Sequence, residues 1–246
     1  MRRRRAPASP GVFLVALVLL GLCLFAGKSA EARKKPRPPA GGRMAVVVDE
    51  RLAALRDAPD LSAGLLRRLG RGRLVAVTGA KESGDGVRFY RVAVTRRTAG
   101  WVQAEALVSA ARAGDDERLL RLVRASSEFE RVARARIFLD TFPRSPRRPA
   151  VLLLLGEAAT EAASRLTREA GRRLDERELA ATGAPLKSFF LNYRGLDRYR
   201  RQGVVFRFDA AAKQFRYDGW AWREILRRHP RSPEAAEARR KLEEGG

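Results

Sequence analysis

The sequence predicts a mixed α+β chain: an N-terminal signal or anchor, a small all-β barrel, then a mainly α-helical domain carrying an inserted β-hairpin. Three observations predict it. Short apolar stretches with period-two character run from Ala45 to Val102, broken by Gly, Asp and Pro. From Asp115 onward apolar residues recur at helical spacing instead. Two alternating runs then return, Val204–Asp209 and Gln214–Tyr217 around Ala210–Lys213, the pattern of a hairpin set among helices.

The chain opens with a positive run, Arg2–Arg5, followed by the uncharged apolar stretch Gly11–Gly27. This is the pattern of an export signal. Ala30-Glu31-Ala32 supplies a small-x-small cleavage site just beyond it, so residues 1–32 read as a signal peptide, with retention of residues 11–27 as a membrane anchor the alternative. Positive charge ahead of the run places the remainder outside the cytoplasm in either case. The expected location is therefore the cell envelope, periplasmic or extracytoplasmic. Cys23, the only cysteine, lies inside the apolar run and reads as one more apolar residue; no intrachain disulfide or cysteine-based metal site is expected. Residues 33–43 are basic and rich in Pro and Gly, a tether with nothing to bury.

The 246 residues carry a net charge of +23, and removing residues 1–32 takes away five basic residues and one acidic, leaving +19. Such a surface favours anionic partners. The charge is almost wholly Arg beside abundant Ala, Gly and Pro, a mixture that a GC-rich genome also writes.

Five strands are expected in the barrel: Ala45–Val48, Ala54–Arg56, Leu74–Val77, Phe89–Val94 and Trp101-Val102. Ser83-Gly84-Asp85-Gly86 is the hairpin turn between the third and fourth. Along the fourth, Tyr90, Val92 and Val94 share the core face, and Phe89 and Arg91 the other. Five short strands with such turns fit a small barrel.

Leu55-Arg56-Asp57-Ala58-Pro59, Leu69–Val77, Phe89-Tyr90-Arg91-Val92 and Gly100-Trp101-Val102 with Leu107 follow one another in an order and spacing that resembles bacterial Src homology 3-like domains over residues 44–109. Ala54 stands where that family has Asn, and Phe89 where it usually has Trp, which thins the ligand-groove aromatics. The resemblance implies a binding or targeting module, often for cell-wall peptide in exported proteins, and implies no catalysis. Trp101 reads as a partly buried barrel aromatic, with ligand stacking as the alternative.

Residues 115–246 make the helical domain, after a short hinge at Ala110–Gly114. Asp115-Asp116-Glu117 suits a helix N-terminus. Leu119, Leu120 and Val123 belong to a first helix, and Phe129, Val132, Ala133, Ile137 and Phe138 to a second. The longest helix is expected near Arg147–Leu174, and Leu152–Leu155, apolar all round, should make it the buried centre. A short helix follows at Asp175–Ala181, then a break at Gly183-Ala184-Pro185. Asp218 is placed to cap Gly219–Arg228.

One phrase occurs twice, Phe138–Pro146 and Ile225–Pro233, each ending Pro-Arg-Ser-Pro. In each copy the first Pro cannot continue the helix, the Ser is placed to cap the next helix, and the second Pro suits a first helical position. Phe138-Leu139 and Phe142-Pro143-Arg144-Ser145 with Ala150 and Gly156, then Ile225-Leu226 and Pro230-Arg231-Ser232 with Ala235, Ala236 and Ala238, resemble the tetratricopeptide-like helical hairpins of envelope proteins. The copies are 87 residues apart, which predicts diverged helix pairs around an insert rather than a regular solenoid.

Few residues invite chemistry. His229, the only histidine, holds the place of Phe142 in the other copy and reads as a helix-end packing or capping residue. No phosphate-binding loop and no Gly-x-Ser-x-Gly elbow occurs. Asp197, Asp209 and Asp218 are the acids a hydrolase would use, and turn and cap roles suit them better. Residues 192–201 and 206–217 are dense in Arg and aromatics, the material of a surface that holds anionic or π-faced ligands. The candidate binding residues are Arg194, Arg198, Arg200, Arg207 and Tyr199, with Phe89 and Trp101 from the barrel. The plain alternative puts Tyr193, Tyr199, Phe206 and Phe208 in the core and the Arg residues in solvent. The functional expectation is a non-catalytic interaction or scaffolding protein. Its partner would be an envelope protein or cell-wall polymer, or an anionic surface; no cofactor and no nucleic acid are expected, and the membrane is met only through the N-terminal segment. Cell-wall binding through the barrel is the alternative, and a hydrolase using the acids near the hairpin the weaker one.

Overall fold

The computed structural model describes residues 41–244, all within one compact unit; the expected export signal and most of the tether lie outside the described residues. The fold is mixed α+β, a seven-stranded antiparallel sheet followed by helices and a two-stranded hairpin. Among the described residues no helix is long and apolar enough to cross a membrane.

The sheet is built from β1 (Arg43–Val47), β2 (Ala54–Arg56), β3 (Leu65–Arg68), β4 (Leu74–Glu82), β5 (Arg88–Thr95), β6 (Thr98–Gln103) and β7 (Leu107–Val108), in the order β3-β2-β6-β5-β4-β1-β7. Its core holds Val47, Leu55, Val75, Val92, Val94 and Val102, each buried, as strand alternation demands. The β4–β5 turn closes with Ser83 N–H donating to the Val87 carbonyl at 2.9 Å and with Gly86 at φ +80°. At Gly100 a Cβ would lie 2.6 Å from the Arg56 carbonyl oxygen, so β6 meets β2 only because that residue has no side chain.

Two of the seven strands were not expected from the sequence. Leu65-Leu66-Arg67-Arg68 has no alternation because none of its residues is buried, and Leu107–Val108 is too short to show a period. Phe89 also departs from expectation: it is fully buried, not on an outer face. Trp101 is half-buried on the side of β6 opposite Val102, with Arg91 and Arg56 as cross-strand partners.

The helices are α1 (Asp115–Arg124), α2 (Glu128–Thr141), α3 (Arg148–Arg172), α4 (Glu176–Thr182), α5 (Leu186–Leu191), α6 (Asp197–Arg200), α7 (Trp220–Arg228) and α8 (Glu234–Glu244). The hairpin β8 (Phe206–Asp209) and β9 (Gln214–Tyr217) falls where the alternation placed it. α3 is the centre, burying Val151, Leu152, Leu155, Ala158, Ala159, Ala162 and Leu166. α4 starts where Asp175 accepts from the N–H groups of Arg177 (2.9 Å) and Glu178 (3.1 Å), an N-cap that offsets two otherwise unpaired donors.

The corners differ from the expected caps. α3 begins at Arg148, with Pro149 rather than Pro146 in its first turn. Ser145 does not cap it; its hydroxyl donates to Asp116 Oδ2 at 2.7 Å and accepts from Arg147 N–H at 3.2 Å. Ser232 Oγ is buried with no hydrogen-bond partner. The Ser145 hydroxyl thus uses its proton on the Asp116 carboxylate, a charge-assisted bond, and its oxygen on the Arg147 amide, ahead of the helix rather than inside its first turn.

The segment expected as a hinge is pinned. Val46 of β1, Val48 just after it and Val108 of β7 belong to the same buried cluster as α1–α3. Asp115, almost wholly buried, accepts from Ser109 N–H at 2.8 Å and pairs with Arg112 at 2.6 Å, while Arg118 donates to the carbonyls of Glu105 and Leu107. Across the same junction Arg134 is buried, a costly place for a cation. It is satisfied by the Val48 carbonyl (3.1 Å), Ser126 Oγ (2.6 Å) and Asp49 (3.6 Å). Arg71, in the turn between β3 and β4, pairs with Glu130 of α2 at 2.6 Å. Sheet and helices are therefore held in a single arrangement.

Candidate binding groove

α3, β9, α7 and α8 enclose a groove of about 590 Å³. Its position follows from three local facts. Phe215 N–H donates to Thr167 Oγ1 at 2.8 Å, which seats β9 on α3. Gly156 lets α7 approach α3: a Cβ there would fall 2.1 Å from Trp222 Nε1, so any side chain would push the tryptophan away. Tyr217 packs edge-on against Trp222, centroids 5.5 Å apart, and its hydroxyl accepts from Ala221 N–H at 2.8 Å in the first turn of α7. Burial pushes the Tyr217 hydroxyl pKa up, so it stays neutral.

Phe215, Tyr217 and Trp222 give the groove an aromatic wall; Glu157 and Glu161 of α3 and Glu237 and Glu244 of α8 give it carboxylates. The four acids are not equivalent. Glu237 is held by Arg240 at 2.6 Å, whose hydrogen bond lowers its pKa; Glu244 pairs with Lys241 at 3.2 Å. Glu157 and Glu161 accept no hydrogen bond and form no ion pair among the described residues. Burial raises the Glu157 pKa, and the neighbouring carboxylates Glu237 and Glu161 add to the rise against the opposing charges of Lys241 and Arg131. The hydroxyls of Thr160 and Ser164 turn back to carbonyls of their own helix, Gly156 and Thr160. The chemistry on offer is a half-buried carboxylate, Glu157, and an exposed one, Glu161, beside aromatic faces, with Lys241 and Arg216 also on the lining. Among the described residues no group of three or more His, Cys, Asp or Glu could hold a metal ion.

The residues singled out in the sequence are not brought together here. Tyr199 is fully buried, its hydroxyl bonded to Arg165 and its ring against Phe129 (5.2 Å) and Phe206 (5.5 Å). The Arg198 guanidinium lies 5.1 Å from the centroids of both Phe129 and Tyr199, and its Nε is buried without a partner. Arg200 donates to the Leu191 carbonyl at 2.7 Å and lies 3.8 Å from Asp197. Arg194 is exposed at the rim of a separate concavity with Arg173, Phe189 and Tyr193. Arg207 is exposed on β8, opposite Arg216. Phe89, fully buried, presents no face to a ligand, and Trp101 is on the sheet. The acids named for a hydrolase are spread: Asp209 pairs with Arg216 at 3.0 Å and Asp218 accepts from Trp220 N–H at 3.1 Å, neither lining the groove.

Sequence reasoning missed Glu157 and Glu161. Their signal was present, two acids four apart on one face of a long helix, but the opposing wall comes from residues more than fifty positions later. No family model matches the chain, no curated protein matches it and no solved structure matches it.

Proposed function

We propose that the chain is an exported cell-envelope protein that acts without catalysis as an interaction or scaffolding module, a bacterial Src homology 3-like barrel joined to a tetratricopeptide-like helical domain, and that its groove receives a cationic segment of a partner protein. The observation that carries this reading is the pair Glu157 and Glu161, carboxylates without internal partners beside an aromatic wall. A Lys or Arg side chain laid there gains charge-assisted hydrogen bonds to the carboxylates and cation–π contact with Tyr217 or Trp222. It also relieves the cost of a half-buried carboxylate that no cation contacts directly among the described residues. The shared core of sheet and helices supports a scaffolding role, because a partner held by either half is held at a set distance from the other.

The test is calorimetry of the full chain with a short Lys/Pro-rich peptide and its Glu-substituted counterpart. The Lys peptide should bind, the Glu peptide should not, and Glu157→Gln with Glu161→Gln should weaken binding by roughly tenfold or more. The pH sign follows from the raised Glu157 pKa: below it the carboxyl is neutral, so affinity should strengthen as pH rises through that value from the ordinary 4.5. Equal binding by wild type and double variant would remove the groove from the reading.

A further inference from the structure

A second surface, on the sheet, lies well away in sequence from the groove. β3 is an edge of the seven-stranded sheet, paired with β2 alone, so one side of its main chain has N–H and C=O groups with no neighbouring strand. All four of its residues are exposed, Leu65 at 52% and Leu66 at 53%, and Leu61 in the loop before it is exposed at 42%. Half of the large exposed apolar side chains among the described residues thus fall between positions 61 and 66. Scattered single leucines on a surface need no explanation, but adjacent ones on an open strand edge mark an interaction site. The next two residues, Arg67 and Arg68, form no ion pair or side-chain hydrogen bond among the described residues. The loop acid Asp60 is already engaged by Ser62 N–H at 2.7 Å and Ser62 Oγ at 2.6 Å.

We propose that β3 takes an extended peptide by strand addition, and that the peptide carries two acidic residues followed by two apolar ones. In an antiparallel addition, which continues the pairing of every other strand in this sheet, the acids lie opposite Arg68 and Arg67 and the apolar residues lie beside Leu66 and Leu65. Main-chain hydrogen bonds supply affinity and the side-chain pairs supply selection. A second copy of this chain is disfavoured as occupant. Antiparallel self-pairing sets each arginine diagonal to another on the same face, and the chain's net +23 adds general repulsion. An anionic lipid surface fits less well, because the loop leading into the strand carries Asp57 and Asp60.

The experiment titrates the full chain with fluorescent peptides whose cores read Glu-Glu-Val-Val or Lys-Lys-Val-Val. Wild type should favour the acidic peptide by roughly tenfold, and Arg67→Glu with Arg68→Glu should reverse the preference while leaving the thermal midpoint unchanged. N-methylation of alternate backbone amides in the acidic peptide should abolish binding. The proposal is overturned if wild type binds neither peptide or both equally, if the double variant keeps the wild-type order, or if the N-methylated peptide binds as well as its parent. Sedimentation with phosphatidylglycerol vesicles without peptide preference would assign the surface to lipid. A dimer in ultracentrifugation that is lost on Leu66→Ser would assign it to a second copy.

Discussion

At the end of α2 and again at the end of α7 the chain turns through Pro-Arg-Ser-Pro with the same main-chain bonds. Phe142 and His229 N–H donate to Phe138 and Ile225 carbonyls (2.8 and 2.7 Å), Ser145 and Ser232 N–H to Phe142 and His229 (3.2 and 3.0 Å), and Arg148 and Ala235 N–H to Ser145 and Ser232 (3.1 and 3.1 Å). The side chains part company. At the first corner Phe142 is buried against Phe138, centroids 5.3 Å apart, Ser145 reaches Asp116, and Arg147 pairs with Asp116 (3.2 Å) and Glu117 (3.0 Å). At the second, His229 Nε2 and Ser232 Oγ are both buried without partners. A repeated phrase therefore specifies a backbone path. What the corner is worth depends on what the rest of the fold brings to it: α1 at the first, and among the described residues no acid that reaches Ser232 at the second. The better-tied corner joins α3 to the helix that meets the sheet; the looser one leads into α8, which forms a wall of the groove.

The largest contrast should come from the residue before the corner proline. Phe142→Ala removes a buried ring and should cost about 3 kcal/mol in denaturant unfolding, whereas His229→Ala, at a half-buried site, should cost under about 1 kcal/mol. Similar losses at the two would mean that the corners carry equal loads.

The same division runs through what the sequence disclosed. Features set by neighbours in the chain were legible: the bounds of α3 to within two residues, the hairpin, the start of α4 to within one, the corners as turns. Features set by distant partners were not. Nothing near Ser145 announces Asp116, and nothing near Glu157 announces Trp222 or Glu237. Phe89 was placed outward because alternation assumes one covered face, yet it is fully buried. The Arg and aromatic density of residues 192–217 was visible, but whether Arg198 stacks on Phe129 or faces solvent is a question of packing that spacing does not answer.

The serines sharpen the contrast at a smaller scale. Ser145→Ala deletes a hydrogen bond to a carboxylate and leaves Asp116 with Arg147 and the Glu117 N–H, so it should cost about 1 kcal/mol. Ser232→Ala removes a buried hydroxyl that has no partner, and its effect should fall within about 0.5 kcal/mol of zero or be stabilising. A loss of the same size at Ser232 would show that its hydroxyl is satisfied and that the corners are alike after all.

The finest test is the pH dependence of those two variants. The Ser145 hydroxyl is the main influence holding the Asp116 pKa below its ordinary 3.8, with the Glu117 N–H and the Arg147 charge assisting against the opposing effect of burial. A carboxylate whose folded pKa is depressed contributes stability that is present above the unfolded value and is lost as pH falls through the folded one. The gap in unfolding free energy between wild type and Ser145→Ala should therefore be full at neutral pH and narrow only below 3.8, as Asp116 takes up its proton in both proteins. Ser232 has no titrating partner among the described residues, so the gap between wild type and Ser232→Ala should be flat over the same range. A gap for Ser145→Ala that stays constant down to the acid transition would mean that its hydroxyl acts by packing alone, and the difference between the corners would then reduce to Phe142.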